Sequence, residues 1–129
     1  MVLIWLACTG KETGDSAVPA SFAVVSVAPE DGATDVVEAV VPQLRLGEGV
    51  DLATCTEAAF RLSGIDTNHG VAFDLPLTVS AEEEGERLSL DPSGAVPRGW
   101  TYAVTVMGGG CVSLAGARLE PFYSSFTVP

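Results

Sequence analysis

The stretch Val71-Ala-Phe-Asp-Leu-Pro-Leu-Thr-Val-Ser80 alternates two kinds of side chain along its whole length. Its large apolar side chains all stand at odd-numbered positions, and small or polar residues or proline stand at the even-numbered ones. Because successive side chains of a β-strand point to opposite faces, this period of two predicts a strand with one face in a core and the other in water. Pro76 lacks an N–H donor, so the strand is expected to lie at a sheet edge or to bend there.

Further apolar segments lie on both sides of this stretch, and residues typical of turns separate them. Asp31-Gly32 is a strong turn pair, and Glu82–Gly85 is expected at a hairpin tip. No long amphipathic helix is evident, so short strands and turns predict an all-β fold. We expect a seven-stranded antiparallel Ig-like (Greek-key) β-sandwich over residues 22–129. Its other strands are expected at 22–28, 42–46, 58–62, 86–91, 101–107 and 122–128.

The N-terminus differs in composition from the remainder of the chain. Met1–Ala7 is apolar but far shorter than the roughly 20 residues that a membrane span needs, and Cys8 follows it directly. The junction resembles a bacterial lipoprotein signal, in which leucine and two small residues precede the cysteine; Trp5 stands where leucine is usual. The resemblance implies a lipid on Cys8 and a protein exported to the periplasm or cell surface. It would be held to an envelope membrane, with the outer membrane favoured over the inner.

The segment around Cys8 leads to two further expectations. No basic residue precedes the apolar run, so we expect the true translation start to lie upstream. The alternative is an apolar N-terminal strand with a buried, free Cys8. Residues 9–21 are rich in Gly, Ser and Thr, which predicts a disordered N-terminal segment. As a tether between residues 1–8 and the domain at 22–129, it would span on the order of 20 Å.

Two cysteines remain once Cys8 is set aside. An even pair in an exported domain predicts a disulfide between Cys55 and Cys111. In a Greek-key sandwich the loops after the second and sixth strands lie at the same end, and these loops carry the two cysteines. Free thiols and a metal site are the alternatives, but a zinc shell needs four ligands and no histidine lies near either cysteine in the sequence. We therefore expect neither a metal nor another cofactor.

The chain is strongly acidic, with 17 Asp and Glu residues against 6 Lys and Arg and a formal net charge of −11. Nucleic-acid binding requires clustered basic residues that neutralise phosphates, and the sequence has no such cluster. Electrostatic binding to an anionic membrane surface is disfavoured for the same reason. The charge is expected to serve solubility, and a site that recruits cations is the alternative.

Residues that could support catalysis are few. His69 is the single histidine, and the Asn68 and Gly70 beside it are typical of an exposed hairpin tip. No serine stands in a Gly-x-Ser-x-Gly motif. Neither a lysine nor a helix start follows Gly108–Gly110, as a phosphate-binding loop would require. The sequence therefore predicts a protein without enzymatic activity.

Two other groups of residues have both a structural and a binding interpretation. Asp31, Asp35 and Glu38 lack the spacing of a known calcium loop, so we expect them in turns and on the surface rather than around a cation. Trp100 and Tyr102 are two residues apart and share a strand face. We expect them in the core, with Tyr102 where sandwiches often place a tyrosine corner, and a sugar-stacking pair is the alternative.

The order of several motifs resembles the bacterial Ig-like domains of the SbsA type over about residues 24–128. The segments that are similar are Ser26–Val36, Val50–Thr54, Pro97–Val106, Leu114–Gly116 and Ser125–Thr127. Ser113 stands where the family usually has aspartate, and Ala117 stands where it usually has asparagine. The resemblance implies a structural or adhesive module without catalysis.

A Pro-x-x-Gly-Ala opening is also similar to that of copper-binding periplasmic sandwiches. Those proteins need histidine and methionine ligands, and this chain offers only His69, Met107 and Met1, so copper is not expected.

We therefore predict a non-enzymatic envelope lipoprotein whose Ig-like domain is a structural or interaction module. Its expected partners are a membrane, through the lipid on Cys8, and other envelope proteins or glycans. The alternative is a module that binds a glycan or calcium with loops at one end of the sandwich.

Overall fold

The computed structural model describes residues 20–66 and 68–129. The predicted lipid site Cys8 and residues 9–19 of the predicted tether lie outside the described residues. The described residues form β1 (Ser21–Phe22), β2 (Val24–Ala28), β3 (Gln43–Leu46), β4 (Val50–Asp51), β5 (Phe60–Asp66), β6 (Gly70–Leu75), β7 (Thr78–Glu82), β8 (Arg87–Asp91), β9 (Trp100–Val106), β10 (Val112–Ser113), β11 (Arg118–Leu119) and β12 (Phe122–Val128). Short 3-10 turns follow β4 at Leu52–Thr54 and β7 at Glu83–Gly85.

The strands form two antiparallel four-stranded sheets and one small sheet. Sheet 1 has the order β2-β3-β8-β7, and sheet 2 has the order β12-β9-β5-β6. The small sheet has the order β1-β11-β10-β4, and its β1–β11 pair is parallel. The predicted all-β Ig-like sandwich is therefore confirmed. No helix among the described residues is long and apolar enough to cross a membrane.

The core contains inward-facing side chains from both large sheets. On β8 the buried residues are Leu88 and Leu90, and on β9 they include Tyr102, Val104 and Val106. This spacing of two is what the apolar alternation in these segments predicts. Since burying one such side chain stabilises the fold by about 1.5–3 kcal/mol, the inward faces account for much of its stability.

The alternating stretch at residues 71–80 is two edge strands rather than one. β6 pairs with β5 in sheet 2, and β7 pairs with β8 in sheet 1. Only Pro76 and Leu77 separate them, so the chain leaves one sheet at the proline and enters the other. The two large sheets consequently contain eight strands instead of the expected seven. The prediction of an edge position or a bend at Pro76 is confirmed in both respects.

The apolar side chains predicted to face the core do so in both strands, except for the first of them. Phe73, Leu75, Leu77 and Val79 all pack against the core. Val71 was expected beside them, but it is 61% exposed. The β5–β6 register shifts between Val71 and Phe73, so that Ala72 is an extra residue in β6 and the side-chain alternation is interrupted.

Two expected strand limits also differ from the structure. β5 was expected at 58–62 but runs from Phe60 to Asp66, because it pairs with β9 from Phe60 to Ile65 and with β6 as far as Asp66. Ser21 was expected at the end of the tether, but it pairs with Arg118 of β11. In both places the partner strand, rather than the local apolar pattern, sets the limit.

Tyr102 is fully buried, and its hydroxyl donates a hydrogen bond to the carbonyl oxygen of Pro97. Its ring stacks on Phe126 with centroids 5.7 Å apart. Trp100 is half-buried and meets the edge of Phe73 at 5.1 Å. The prediction that Trp100 and Tyr102 serve the core is therefore confirmed.

The segment at residues 31–36 covers the outer edge of β12. Asp31 accepts a hydrogen bond from the Ser125 N–H through Oδ1 at 2.8 Å, and the Gly32 N–H donates to the Ser125 carbonyl at 2.7 Å. Further along, the Thr127 N–H donates to the Ala33 carbonyl at 2.8 Å. An uncovered strand edge invites pairing with other chains, so this contact protects the sheet.

Candidate functional site

The two cysteines of the domain are joined, as predicted. Cys55 follows the 3-10 turn at Leu52–Thr54, Cys111 follows β9, and their sulfur atoms are bonded at 2.09 Å. The Thr54 hydroxyl accepts from the Val112 N–H at 2.9 Å, which fixes the two loops beside each other. The alternatives of free thiols and of a metal held by these cysteines are therefore wrong for this structure.

The acidic residues considered for calcium do not gather in the part of the chain that the structure describes. There, no three His, Cys, Asp or Glu side chains are placed so that they could hold a metal ion. Asp31 instead uses Oδ1 to accept the Ser125 N–H. Its expected turn role is confirmed.

His69 lies in the exposed turn between β5 and β6, as predicted. Its Nδ1 is 3.1 Å from Oδ2 of Asp66. The Asn68 backbone N–H and the His69 ring together hold the pKa of Asp66 below its ordinary value. This pair therefore stabilises a hairpin turn on the surface.

His69 and Met107 cannot belong to one copper site. Met107 lies beside Ala59, because its N–H donates to the Ala59 carbonyl at 2.9 Å. His69 lies beyond Asp66 at the other end of β5. At about 3.3 Å per residue, the length of β5 separates the two side chains by about 20 Å.

An open cleft of about 820 Å³ lies beside the disulfide. We call it the crossing cleft because it lies where the chain passes from sheet 2 to sheet 1. Its apolar lining comes from Leu52, Cys55, Ala58, Phe60, Leu75, Pro76, Leu77 and Val79, and its polar lining from Thr56, Glu57, Arg61 and Asp74. Its volume is within the range of known binding sites.

The crossing cleft exists because β6 ends early. β5 pairs with β9 from Phe60 onward, but its pairing with β6 begins only at Leu62. At Pro76 the chain turns away from sheet 2 toward sheet 1. Phe60 and Arg61 at the start of β5 therefore have β9 on one side and no strand on the other. The apolar side chains that face this gap are therefore only half-buried, as Leu75 and Leu77 are.

One rim of the cleft carries a polar network centred on Asp74. Its Oδ1 accepts the Ser63 hydroxyl at 2.6 Å, and its Oδ2 lies 2.9 Å from Nη2 of Arg61. The Ser63 hydroxyl, followed by the Arg61 guanidinium, holds the pKa of Asp74 below its ordinary value of 3.8. The network ties β6 to β5 just before the chain leaves the sheet.

We expect Asp74→Asn to destabilise the domain slightly at neutral pH and not at all in strong acid. A lowered native pKa stabilises the fold above the unfolded pKa, and this contribution is lost as the pH falls through the native value. The network is exposed and screened, so the loss at pH 7 should be under about 1 kcal/mol. Urea unfolding of both proteins at pH 7 and at about pH 2.5 measures it. A difference that is the same at both pH values would contradict the assignment to charge.

Sequence reasoning located the cysteine pair but missed the cleft. Its apolar residues were recognised as an inward strand face, and only the change of sheet leaves them partly open. Pro76 was the one local signal of that change. Ser113, noted as a departure from the usual aspartate, accepts the Ala117 N–H at 2.9 Å through its hydroxyl and so keeps a polar bond within its loop.

Comparison with known proteins identifies a domain type for this architecture. The family model described as "Bacterial Ig-like domain" matches residues 19–128. No curated protein matches the sequence.

Solved structures with the same fold come from two kinds of protein. The S-layer protein SbsC matches with a TM-score of 0.59 and 21% identity over 83% of this chain, which spans 13% of that protein. PcoC, a methionine-rich copper resistance protein from Escherichia coli, matches with a TM-score of 0.65 and 18% identity over 85% of this chain and 100% of its own. CopC from Methylosinus trichosporium OB3b matches with a TM-score of 0.55 and 19% identity, covering 82% and 91% of the two chains. These likenesses show a shared fold.

Proposed function

The chain belongs to the bacterial Ig-like domain family, and from this premise we propose that it is a non-enzymatic envelope lipoprotein whose domain serves as a structural or interaction module. The observation that carries the proposal is the combination of an Ig-like sandwich, a disulfide and an open cleft that contains an unpaired strand edge. A sandwich whose cleft contains an open strand edge is suited to binding another protein rather than to transforming a small molecule.

The disulfide supports an exported location. Disulfides form and persist in oxidising compartments outside the bacterial cytoplasm. One of the structures that share the fold is described as a surface layer protein. In this proposal the lipid on Cys8 holds the domain to an envelope membrane, with the outer membrane favoured.

The arrangement of reactive side chains supports a role without catalysis. General acid–base chemistry needs a base within hydrogen-bond reach of a reacting group in a sheltered site. His69 is instead exposed in a turn. The polar residues that line the crossing cleft are Thr56, Glu57, Arg61 and Asp74. Both carboxylate oxygens of Asp74 are already bonded, one to the Ser63 hydroxyl and the other to Arg61.

The alternative of a calcium- or glycan-binding module has less support. The described acidic residues do not form a group of metal-binding geometry. The aromatic pair considered for sugar stacking is engaged in packing, since Tyr102 is buried and Trp100 packs against Phe73.

The anchor is tested by comparing the natural protein with Cys8→Ser, both expressed in bacteria from the native start codon. We expect the natural protein in the membrane fraction, with the mass of acyl groups on Cys8, and the variant in the soluble exported fraction. Glu30→Gln is the matched control, since it changes an exposed turn residue of the domain and leaves all three cysteines in place. Equal distribution of the natural protein and Cys8→Ser would overturn the lipoprotein proposal.

A further inference from the structure

The floor of the crossing cleft presents backbone groups without strand partners. Residues of an antiparallel strand direct their N–H and C=O groups alternately to the two neighbouring strands. The Ala59 carbonyl accepts the Met107 N–H at 2.9 Å, on the β9 side. By this alternation, the N–H and C=O of the next residue, Phe60, point away from β9. They point to the side of β5 where β6 pairs further along but does not reach Phe60.

Nothing in the described loops replaces the missing strand there. None of their backbone hydrogen bonds reaches the N–H or C=O of Phe60. Pro76, which follows β6, has no N–H with which to extend the ladder. A strand from another chain could supply both partners, which is the binding mode called strand addition.

The walls of the cleft suit the apolar side chains of such a strand. The cleft is lined on one side by the end of β6 and the start of β7, through Leu75, Leu77 and Val79. Leu52 lines it from the 3-10 turn after β4. All four are half-buried and retain surface that a partner could cover. An extended segment alternates its side chains, so every second residue would contact these walls.

The acidic charge around the cleft favours a partner segment that is basic. Glu57 is exposed at the rim, and its carboxylate makes no hydrogen bond or ion pair with other described residues. Arg61 is the cleft's single basic residue, and it is paired with Asp74 at 2.9 Å. With a net charge of −11 on the whole chain, the surface attracts basic segments.

We infer that the crossing cleft binds an extended basic segment of a partner protein, which adds a short strand beside Phe60 and places alternate apolar side chains against Leu75, Leu77 and Val79. A lysine or arginine of the segment pairs with Glu57. This inference rests on the proposed function as an interaction module and specifies its binding site and partner class.

Three other occupants fit the cleft less well. A second copy of this chain would also carry a charge of −11 and would be repelled. A glycan would need an aromatic ring to stack on, but Phe60 is only 6% exposed. A lipid chain would fill the apolar walls but would leave the Phe60 backbone groups unpaired.

The test uses the isotope-labelled full chain and an acetylated peptide of eight residues that alternates valine or leucine with lysine and threonine. We expect saturable amide shifts centred on Phe60, Arg61 and Leu77 in NMR spectra. The same peptide with glutamate in place of lysine, or with proline at a central position, should bind at least about fivefold more weakly, because it lacks the charge or an N–H donor. A laurate titration tests the lipid alternative.

Two charge reversals serve as matched variants. Glu57→Lys should weaken binding of the lysine peptide at least about fivefold. Glu30→Lys changes the net charge equally but lies in the turn after β2, away from β6 and β7, and should alter binding by less than about twofold.

Equal effects of Glu57→Lys and Glu30→Lys, equal binding of the control peptides, or shifts at the cleft with laurate alone would overturn the inference. The outcome is separate from that of the fractionation with Cys8→Ser. If the chain is membrane-bound but does not bind the lysine peptide, only the inference about the cleft is wrong. If the chain binds the peptide but is not exported, only the proposed location is wrong.

Discussion

Replacing Cys55 and Cys111 together by alanine is expected to lower the free energy of unfolding by about 4 kcal/mol. The disulfide joins residues 56 positions apart, so it removes a large loop-closure entropy from the unfolded chain. Domains of this size are stable by only about 5–15 kcal/mol, so the variant should be marginal. Urea unfolding and the melting temperature of both proteins measure the effect. Alanine is preferred to serine because Cys111 is fully buried, and a hydroxyl there would add an unrelated cost.

Chemical reduction provides the control for this double variant. A reductant should lower the melting temperature of the natural domain toward that of the variant and leave the variant unchanged. If the reduced and oxidised natural domains unfold at the same urea concentration, the bond does not stabilise the fold and the prediction is wrong.

Gly85→Ala is expected to destabilise the domain by about 3 kcal/mol. Gly85 has a φ of +86°, which costs a residue with a side chain roughly 1–2 kcal/mol. An added Cβ would also lie 2.4 Å from the carbonyl oxygen and 2.8 Å from the nitrogen of Val50. Since these atoms belong to the backbone, β4 would have to move away from the 3-10 turn, which adds a cost of about 1–3 kcal/mol.

Gly99→Ala separates the two causes. Gly99 has the same φ of +86°, but no atom lies within 4 Å of its added Cβ. It should therefore show the conformational cost alone, about 2 kcal/mol less than Gly85→Ala. Urea unfolding of both variants gives the difference directly. Equal losses of stability would show that the contact between Gly85 and Val50 is looser than the structure indicates.

Much of the fold could be predicted because its core depends on period-two burial. The alternation at residues 71–80 correctly predicted the inward face from Phe73 to Val79. It could not predict that this face serves two sheets, because the alternation of side chains is the same whichever neighbour an extended segment pairs with. The exposure of Val71 was missed for a related reason, since the register shift between Val71 and Phe73 depends on the pairing with β5.

The candidate site was harder to predict than the cysteine pair. Cys55 and Cys111 could be paired because topology alone brings their loops together. The crossing cleft depends instead on where one strand stops, and β6 ends two residues short of the start of β5 in the β5–β6 ladder. The pattern of apolar residues does not depend on where a neighbouring strand ends, so Leu75 and Leu77 were predicted to lie in a closed core.

The contact between residues 31–36 and β12 has a consequence for biosynthesis. The Gly32 N–H and the Ala33 carbonyl pair with Ser125 and Thr127, which lie far later in the sequence. While the chain is emerging from the ribosome, this part of the sandwich cannot close, and β9 also lacks one of its two neighbours. This part of the sandwich can therefore close only after residues 125–127 have been synthesised and have left the ribosome.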